Sequence, residues 1–136
     1  MRAMNIAVAC VPLTLLLTYA LRIPMVMGQA KLDGGYDNRT PRAAQQKLSG
    51  LALRAKSAHE NGFEAFMAFA AAIALAQGVG ISSSPLVFGL ALTHLVARVA
   101  FVVAYLADFP TARSVVWTVG FAATLAIFGQ ALAHAA

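Results

Sequence analysis

The chain has 136 residues, 60% hydrophobic and only 11% charged, with a formal net charge of +5 and a mean hydropathy of +0.74. Soluble domains carry about 25% charged residues, so this composition excludes one and points to an integral membrane protein, a single compact unit over residues 1–136. The positive balance does not imply nucleic acid, because Lys31, Arg39, Arg42, Lys47, Arg54 and Lys56 crowd one inter-helix segment rather than forming an aromatic-laced patch.

Asn5 to Met27 is the first apolar segment, interrupted by Pro12 and by Arg22-Ile23-Pro24. Only Arg2 precedes it as a positive charge and no convincing small-x-small cleavage site follows, so it reads as a retained transmembrane helix over about 5–27 rather than a signal peptide. Arg22 is expected to snorkel toward the basic side or to face the bundle. Pro12 is tolerable in lipid when neighbours satisfy the freed carbonyl. Cys10 has no second cysteine to pair with and reads as a small core residue.

Gly34-Gly35, Asp37-Asn38 and Thr40-Pro41 mark residues 28–41 as a loop, and Thr40-Pro41 also suits the cap and first position of a helix. Helix two is expected over about 42–77, roughly 50 Å by its rise, so its first half should project beyond the lipid. Its apolar run from Ala65 to Ala76 is twelve residues, short of the roughly 20 that a bilayer needs. A span here must begin near Ala58, which carries Glu60, Asn61 and Glu64 to membrane depth. At about 100° per residue, Arg54, Ser57, Asn61 and Glu64 share a sector about 80° wide. Such a stripe is either a functional site or a set of hydrogen bonds that holds helices together. Ala65, Ala68, Ala72 and Ala76 permit close helix approach.

Gly78 to Ser84 is an uncharged turn, and Ser84-Pro85 starts helix three, about 85–108. His94, Arg98, Phe101 and Tyr105 step by four, three and four residues and so share one face. Arg98 lies roughly 21 Å from Ser84 and Glu64 roughly 20 Å from Gln77 at the same end. A salt bridge between Glu64 and Arg98, within a subunit or across to a neighbour, is therefore expected, since it makes both tolerable in lipid. Asp108-Phe109-Pro110-Thr111 breaks the chain and caps helix four, about 111–133, with Gly120 and Gly129 as close-contact points. The expected fold class is all-α, an integral membrane four-helix up-down bundle. The positive-inside rule puts residues 28–53 and 108–113 in the cytoplasm and both termini on the far side.

Arg113 occupies the first turn of helix four, where exposed amides and the dipole favour anions and disfavour cations. It reads either as a cation beside a bound anion or as an anchor at the headgroups. His59 reads as interfacial, His94 as hydrogen-bonded between helices, and Trp117 as packing. Tyr105 is a ligand donor or a member of an aromatic belt; His134 is uninformative. The spacing of the three His, five acids and one Cys resembles no metal site. A P-loop, a Rossmann fingerprint and a nucleophile elbow are likewise missing.

Ala58-His59-Glu60-Asn61-Gly62-Phe63-Glu64, with Arg54 seven residues before the Asn, resembles the helix-two Ala-His-x-Asn-x-x-Glu of the membrane-associated eicosanoid and glutathione metabolism (MAPEG) family. Ala97-Arg98-Val99-Ala100, Ala104-Tyr105-Leu106 and Arg113-Ser114-Val115 are similar to the end of helix three and start of helix four in that family's microsomal prostaglandin E synthase. Gly28-Gln29-x-Lys31 resembles the end of its helix one, with Lys for Arg, and the loop from Gly34 to Arg39 resembles bacterial members. The resemblance implies a homotrimer in the bacterial inner membrane that binds glutathione as co-substrate between subunits. It further implies that Lys31, Arg54, Asn61, Glu64, Arg98 and Tyr105 bind glutathione, that Arg113 stabilises its thiolate, and that the second substrate is a lipophilic electrophile arriving among membrane lipids. The expected activity is that of a glutathione transferase or peroxidase, with no metal. One departure is Ser57, where the family has a second arginine. A non-catalytic lipid or small-molecule binder on the same scaffold stays open. A small multidrug transporter ranks last, because no acid precedes Asp33.

Overall fold

The computed structural model describes residues 5–135, so Arg2 and Ala136 lie outside the described residues. Among the described residues every regular element is a helix: α1 (Ile6–Ala20), α2 (Arg22–Gln29), α3 (Pro41–Gln45), α4 (Gly50–Gly78), α5 (Pro85–Leu106) and α6 (Pro110–Ala135).

Two of the expected helices are divided. The first breaks at Leu21; Pro24 has no amide hydrogen to offer the Ala20 carbonyl, which ends the ladder there. Pro12 is carried inside α1 without a break. The second divides at residues 46–49, where Ser49 is extended and Gly50 opens α4 at φ +55°. That left-handed value suits a residue without Cβ. Leu48, in the gap, is buried, so the chain turns inward to seat a side chain instead of projecting as one rod. What remains, α4, has 29 residues and is roughly 44 Å long. The other two begin much as their prolines dictate, Pro85 at the start of α5 and Pro110 one residue before the expected start of α6. Ser84 caps α5 by accepting from the Val87 amide at 3.2 Å.

Three segments are long and apolar enough to cross a membrane: Ile6–Gln29, Pro85–Leu106 and Pro110–Ala135. With large apolar side chains such as Leu16, Val96, Val103 and Leu132 exposed along them, this is a membrane protein. The long α4 is less apolar, because Asn61 and Glu64 interrupt its middle and Gln77 its end. It nevertheless packs against α1, α2, α5 and α6, with Ala55, Ala58, Phe69, Ala72 and Ala76 buried. Ties at both ends fix alternating directions. The Asn5 amide donates to Ser82 and Ser83 hydroxyls at 2.8 and 3.1 Å, joining the start of α1 to the α4–α5 turn. At the other end Arg54, early in α4, reaches Leu106 at the end of α5 and Asp108 just beyond it.

The interior is layered. One apolar cluster holds Cys10, Phe69, Ala72, Ala91 and Ile127, which puts Cys10 in the core. A second holds Leu21, Met25, Ala58 and Phe101. Between them, on each long helix, stand the buried or half-buried polar groups: Thr14 and Thr18 on α1, Asn61 on α4, His94 and Arg98 on α5, Thr124 on α6. Two glycines let the helices close around this layer. A Cβ on Gly62 would stand 2.7 Å from the Thr18 methyl, and one on Gly120 would stand 3.3 Å from Ala97. Gly129 faces open space and is not a contact point.

Candidate functional site

Arg98 is 4% exposed, and its Nη1 donates to Asn61 Oδ1 at 3.1 Å. Asn61 Nδ2 donates in turn to Glu64 Oε2 at 3.3 Å. The chemistry fixes this amide's orientation: a guanidinium only donates and a carboxylate only accepts. Within one chain the expected direct Glu64–Arg98 salt bridge is therefore not formed. Among the described residues the ion pairs are Arg54–Asp108 at 3.7 Å and Lys56–Glu60 at 2.8 Å. Asn61 lies one turn before Glu64 on the same helix face, so its short amide fills the position in front of Arg98 and leaves Glu64 exposed. One neutral group thus serves both charges, and the carboxylate avoids the desolvation that a buried ion pair exacts.

From Arg98 a series of stacked groups runs toward the α5–α6 turn. The guanidinium lies 4.1 Å from the centre of the Phe101 ring. Phe101 meets Tyr105 edge-on at 5.4 Å, and the Tyr105 ring lies under the Arg113 guanidinium at 4.5 Å. Arg113 sits in the first turn of α6, its amide donating to the Phe109 carbonyl at 3.0 Å. Neither Arg98 nor Arg113 has a carboxylate partner among the described residues. The face read from the spacing of His94, Arg98, Phe101 and Tyr105 is thus continuous in space and extends onto α6.

The remaining site residues are placed apart. Arg54 Nε donates to the Leu106 carbonyl at 3.2 Å, a cation on the last carbonyls of α5 where the helix dipole favours it. Lys31 follows α2 and lines a separate cleft of about 370 Å³ with Met27, Leu48 and Ala52. Within one chain it does not meet Asn61.

His59 is buried between helices, 8% exposed, with Nδ1 2.8 Å from the Thr18 carbonyl. The break at Leu21 leaves the last carbonyls of α1 without intrahelical donors, and His59 supplies one. His94 joins helices, as its depth suggests. Its Nδ1 lies 3.2 Å from the Gly120 carbonyl and 3.0 Å from Thr124 Oγ1, while its ring stacks on Phe69 at 3.9 Å. The sequence reading passed over Phe69 and Thr124; their signal is the Gly120-x-x-x-Thr124 step on α6 opposite His94.

A cleft of about 100 Å³ opens between α4, α5 and α6, lined by Asn61, Glu64, His94, Arg98, Trp117 and Phe121 among others. Trp117 stacks on Phe121 at 5.2 Å, so it both packs and forms the cleft wall. Pockets for drug-sized ligands measure roughly 300–1,000 Å³, so this cleft admits a small group and not a tripeptide. The described residues include no group of His, Cys, Asp and Glu able to hold a metal ion.

No curated protein and no solved structure matches this chain. The sequence model of the MAPEG family matches residues 6–133, from the first turn of α1 almost to the end of α6. That range takes in the Asn61–Arg98 bond and the Tyr105–Arg113 stack alike, and the chain belongs to the MAPEG family.

Proposed function

We propose that the protein is a glutathione-dependent transferase or peroxidase acting on lipophilic electrophiles, with Arg113 stabilising the thiolate. The observation that carries this reading is the position of Arg113: a guanidinium in the first turn of α6, held over Tyr105 and without a carboxylate partner among the described residues. A cation there opposes the helix dipole unless an anion binds beside it. A thiol with an ordinary pKa of about 8.5 is mostly protonated at neutral pH, and a nearby cation together with a helix N-terminus lowers that value. The thiolate sulfur would then attack the electrophilic atom of the second substrate, whose leaving group departs with the electron pair of the broken bond.

Arg98 and Asn61 are suited to the tripeptide's carboxylates and amides, Glu64 to its ammonium group, and Tyr105 to a hydrogen bond. The cleft of one chain is smaller than a tripeptide, which fits a glutathione site completed between subunits of a homotrimer. Lys31, remote from Asn61 within a chain, would join that site from a neighbour. In this reading α4 is the fourth span of an up-down bundle in a bacterial inner membrane, and residues 28–53 and 108–113 are cytoplasmic. Cysteine labelling of Asp37→Cys and Ala135→Cys in a Cys10→Ala background tests the orientation; external labelling of residue 37 overturns it.

A non-catalytic lipid or small-molecule binder is the second reading, favoured by one specific observation. Ser57 replaces a family arginine and Arg54 is engaged with Leu106 and Asp108, so fewer free cations remain for carboxylates. Titration of the purified protein with glutathione, read by the ultraviolet absorbance of the thiolate, separates the two. The enzyme reading expects saturable binding and an absorbance rise that Arg113→Leu abolishes; absence of binding to the wild-type protein leaves the second reading.

A further inference from the structure

Arg22 takes no part in the site around Arg98, and its position is a costly one. It lies seven residues before the end of the apolar span Ile6–Gln29, roughly 10 Å inside that end by helical rise. The side chain is exposed and has no carboxylate partner among the described residues. A guanidinium at membrane depth calls for an anion or a path to water. The break at Leu21 and the short α3 give it a setting, a cleft of about 430 Å³ whose lining includes Arg22 of α2, Arg42 of α3 and Lys56 of α4. The one carboxylate in that lining, Glu60, is held by Lys56 at 2.8 Å. Arg42, like Arg22, pairs with no carboxylate among the described residues. Two arginines from separate elements thus border one cleft with their charge unmatched. The opposite wall is aromatic: Tyr19, His59 and Phe63 meet edge-on in all three pairings, with ring centres 5.0 to 6.1 Å apart. This lining shares no residue with the cleft around Arg98 or with that around Lys31.

We propose that this cleft binds the phosphate headgroup of an anionic membrane phospholipid, with Arg22 and Arg42 as the groups that hold it. A guanidinium meets phosphate oxygens through paired N–H donors, and basic pockets between membrane helices are where such headgroups lodge. At about 430 Å³ the cleft falls in the range of roughly 300–1,000 Å³ that small-molecule sites occupy. Depth and lining favour a lipid over a soluble phosphate. Arg22 stands inside the span, and Tyr19 and Phe63 carry the lining toward the membrane interior. About one turn deeper on the same two helices, Leu16 and Met67 are exposed, a surface along which acyl chains can lie. Choline heads fit poorly, because their ammonium group would enter a lining whose single carboxylate is already taken. The inference goes beyond the thiolate reading and does not depend on it, since the headgroup and the tripeptide use different side chains.

The probes are dioleoyl phosphatidylglycerol and dioleoyl phosphatidylcholine, which share their chains and phosphate and differ in the ammonium group. Each is titrated against the delipidated, detergent-solubilised protein, and the lipid retained per chain is read by native mass spectrometry. Phosphatidylglycerol is expected to half-saturate at a concentration about tenfold or more below that of phosphatidylcholine. Arg22→Gln made together with Arg42→Gln, both at exposed positions, should bring the two lipids within about twofold of each other. Arg39→Gln made together with Lys47→Gln removes the same charge from exposed positions outside this lining and should leave the preference unchanged. Glycerol 3-phosphate, the headgroup's soluble counterpart, should not displace the lipid from the wild-type protein at equal concentration. Equal retention of the two lipids, or an equal loss of preference in both double variants, would overturn the proposal and reduce the cleft to a solvated basic surface. Displacement by glycerol 3-phosphate would overturn it in favour of a soluble phosphate. The lipid comparison and the displacement use the wild-type chain, so the proposal is tested even if the arginine variants do not fold. No thiol is present in this assay, so its failure and that of the thiolate reading are separate results.

Discussion

Arg98 donates to Asn61 Oδ1 at 3.1 Å and makes no ion pair with Glu64, which it reaches only through that amide. Energetic weight therefore moves from the carboxylate to the asparagine. Asn61→Leu leaves a buried guanidinium without its side-chain acceptor and should lower stability by about 1.5–3 kcal/mol, the range for hydrogen bonds to charged groups. Glu64→Gln, at an exposed position, should lower it by less than about 1 kcal/mol. Thermal melting of the detergent-solubilised protein ranks the two; a larger loss from Glu64→Gln would mean that the direct charge interaction dominates.

That detail marks where the sequence stops being legible. Helical periodicity and depth brought Glu64, Asn61 and Arg98 to one level, because both are fixed by rise and angle along a regular helix. Which of two polar residues one turn apart faces the guanidinium depends on rotamers and on how closely α4 approaches α5, and neither is written in spacing. The breaks at Leu21 and at residues 46–49 were masked differently. Pro24 and the Ser49-Gly50 pair signal them, but the apolar periodicity continues across both. The partner of His59 was hidden for the same reason: it is a carbonyl that exists as a free acceptor only once α1 has ended early. The Phe69–His94–Thr124 cluster draws on three helices whose apolar pattern alone gives no register between them.

The close approach of α1 to α4 at Gly62 sets a second prediction. Gly62→Ala places its Cβ 2.7 Å from the Thr18 methyl, and Thr18 is itself buried with its hydroxyl bonded to the Thr14 carbonyl. Overpacking of this kind costs about 1–3 kcal/mol. Thr18→Ala made together with Gly62→Ala should recover most of that loss, a non-additivity expected of residues in contact. Gly129→Ala meets nothing and should stabilise α6 by up to about 1 kcal/mol through helix propensity alone. Melting temperatures of these three variants and of Thr18→Ala alone settle the comparison; equal losses at Gly62 and Gly129 would contradict the packing described.

The loop carries a pH-dependent turn. The Thr40 hydroxyl donates to Asp37 at 2.6 Å and the Arg39 amide at 2.7 Å, and these bonds, the hydroxyl's first, hold the Asp37 carboxyl below its ordinary 3.8. A carboxyl whose folded value is depressed contributes stability that is complete above its unfolded value and is lost as pH falls through the lower, folded one. The turn should therefore persist at pH 4 and open only in more acidic solution. NMR titration of the Asp37 carboxyl should give a midpoint below 3.8, and Thr40→Val should move it up. A midpoint at or above the ordinary value in the wild-type protein would show that the turn is not formed in solution.

Arg113 is predicted to govern turnover more than binding. Its guanidinium rests on Tyr105 at the mouth of the stack that runs back to Arg98, so the groups proposed to hold the tripeptide's carboxylates and amides survive its loss. Arg113→Leu should leave glutathione affinity within about threefold while the pKa of the bound thiol rises toward its free value. A rise of one to two units corresponds to about 1.4–2.7 kcal/mol, or roughly ten- to hundredfold less thiolate at neutral pH. The rate with a generic aryl halide or lipid hydroperoxide should then be low at pH 6 and recover toward the wild-type value by about pH 9, near the free thiol's own range. Arg113→Lys keeps a charge without the flat stack on Tyr105 and should fall between the two. An Arg113→Leu enzyme whose rate stays depressed by the same factor at every pH would show that Arg113 acts on position and not on ionisation. One that loses affinity and rate in equal measure would show that Arg113 holds the ground-state ligand, and the thiolate role would have to pass to another cation at this end of the molecule.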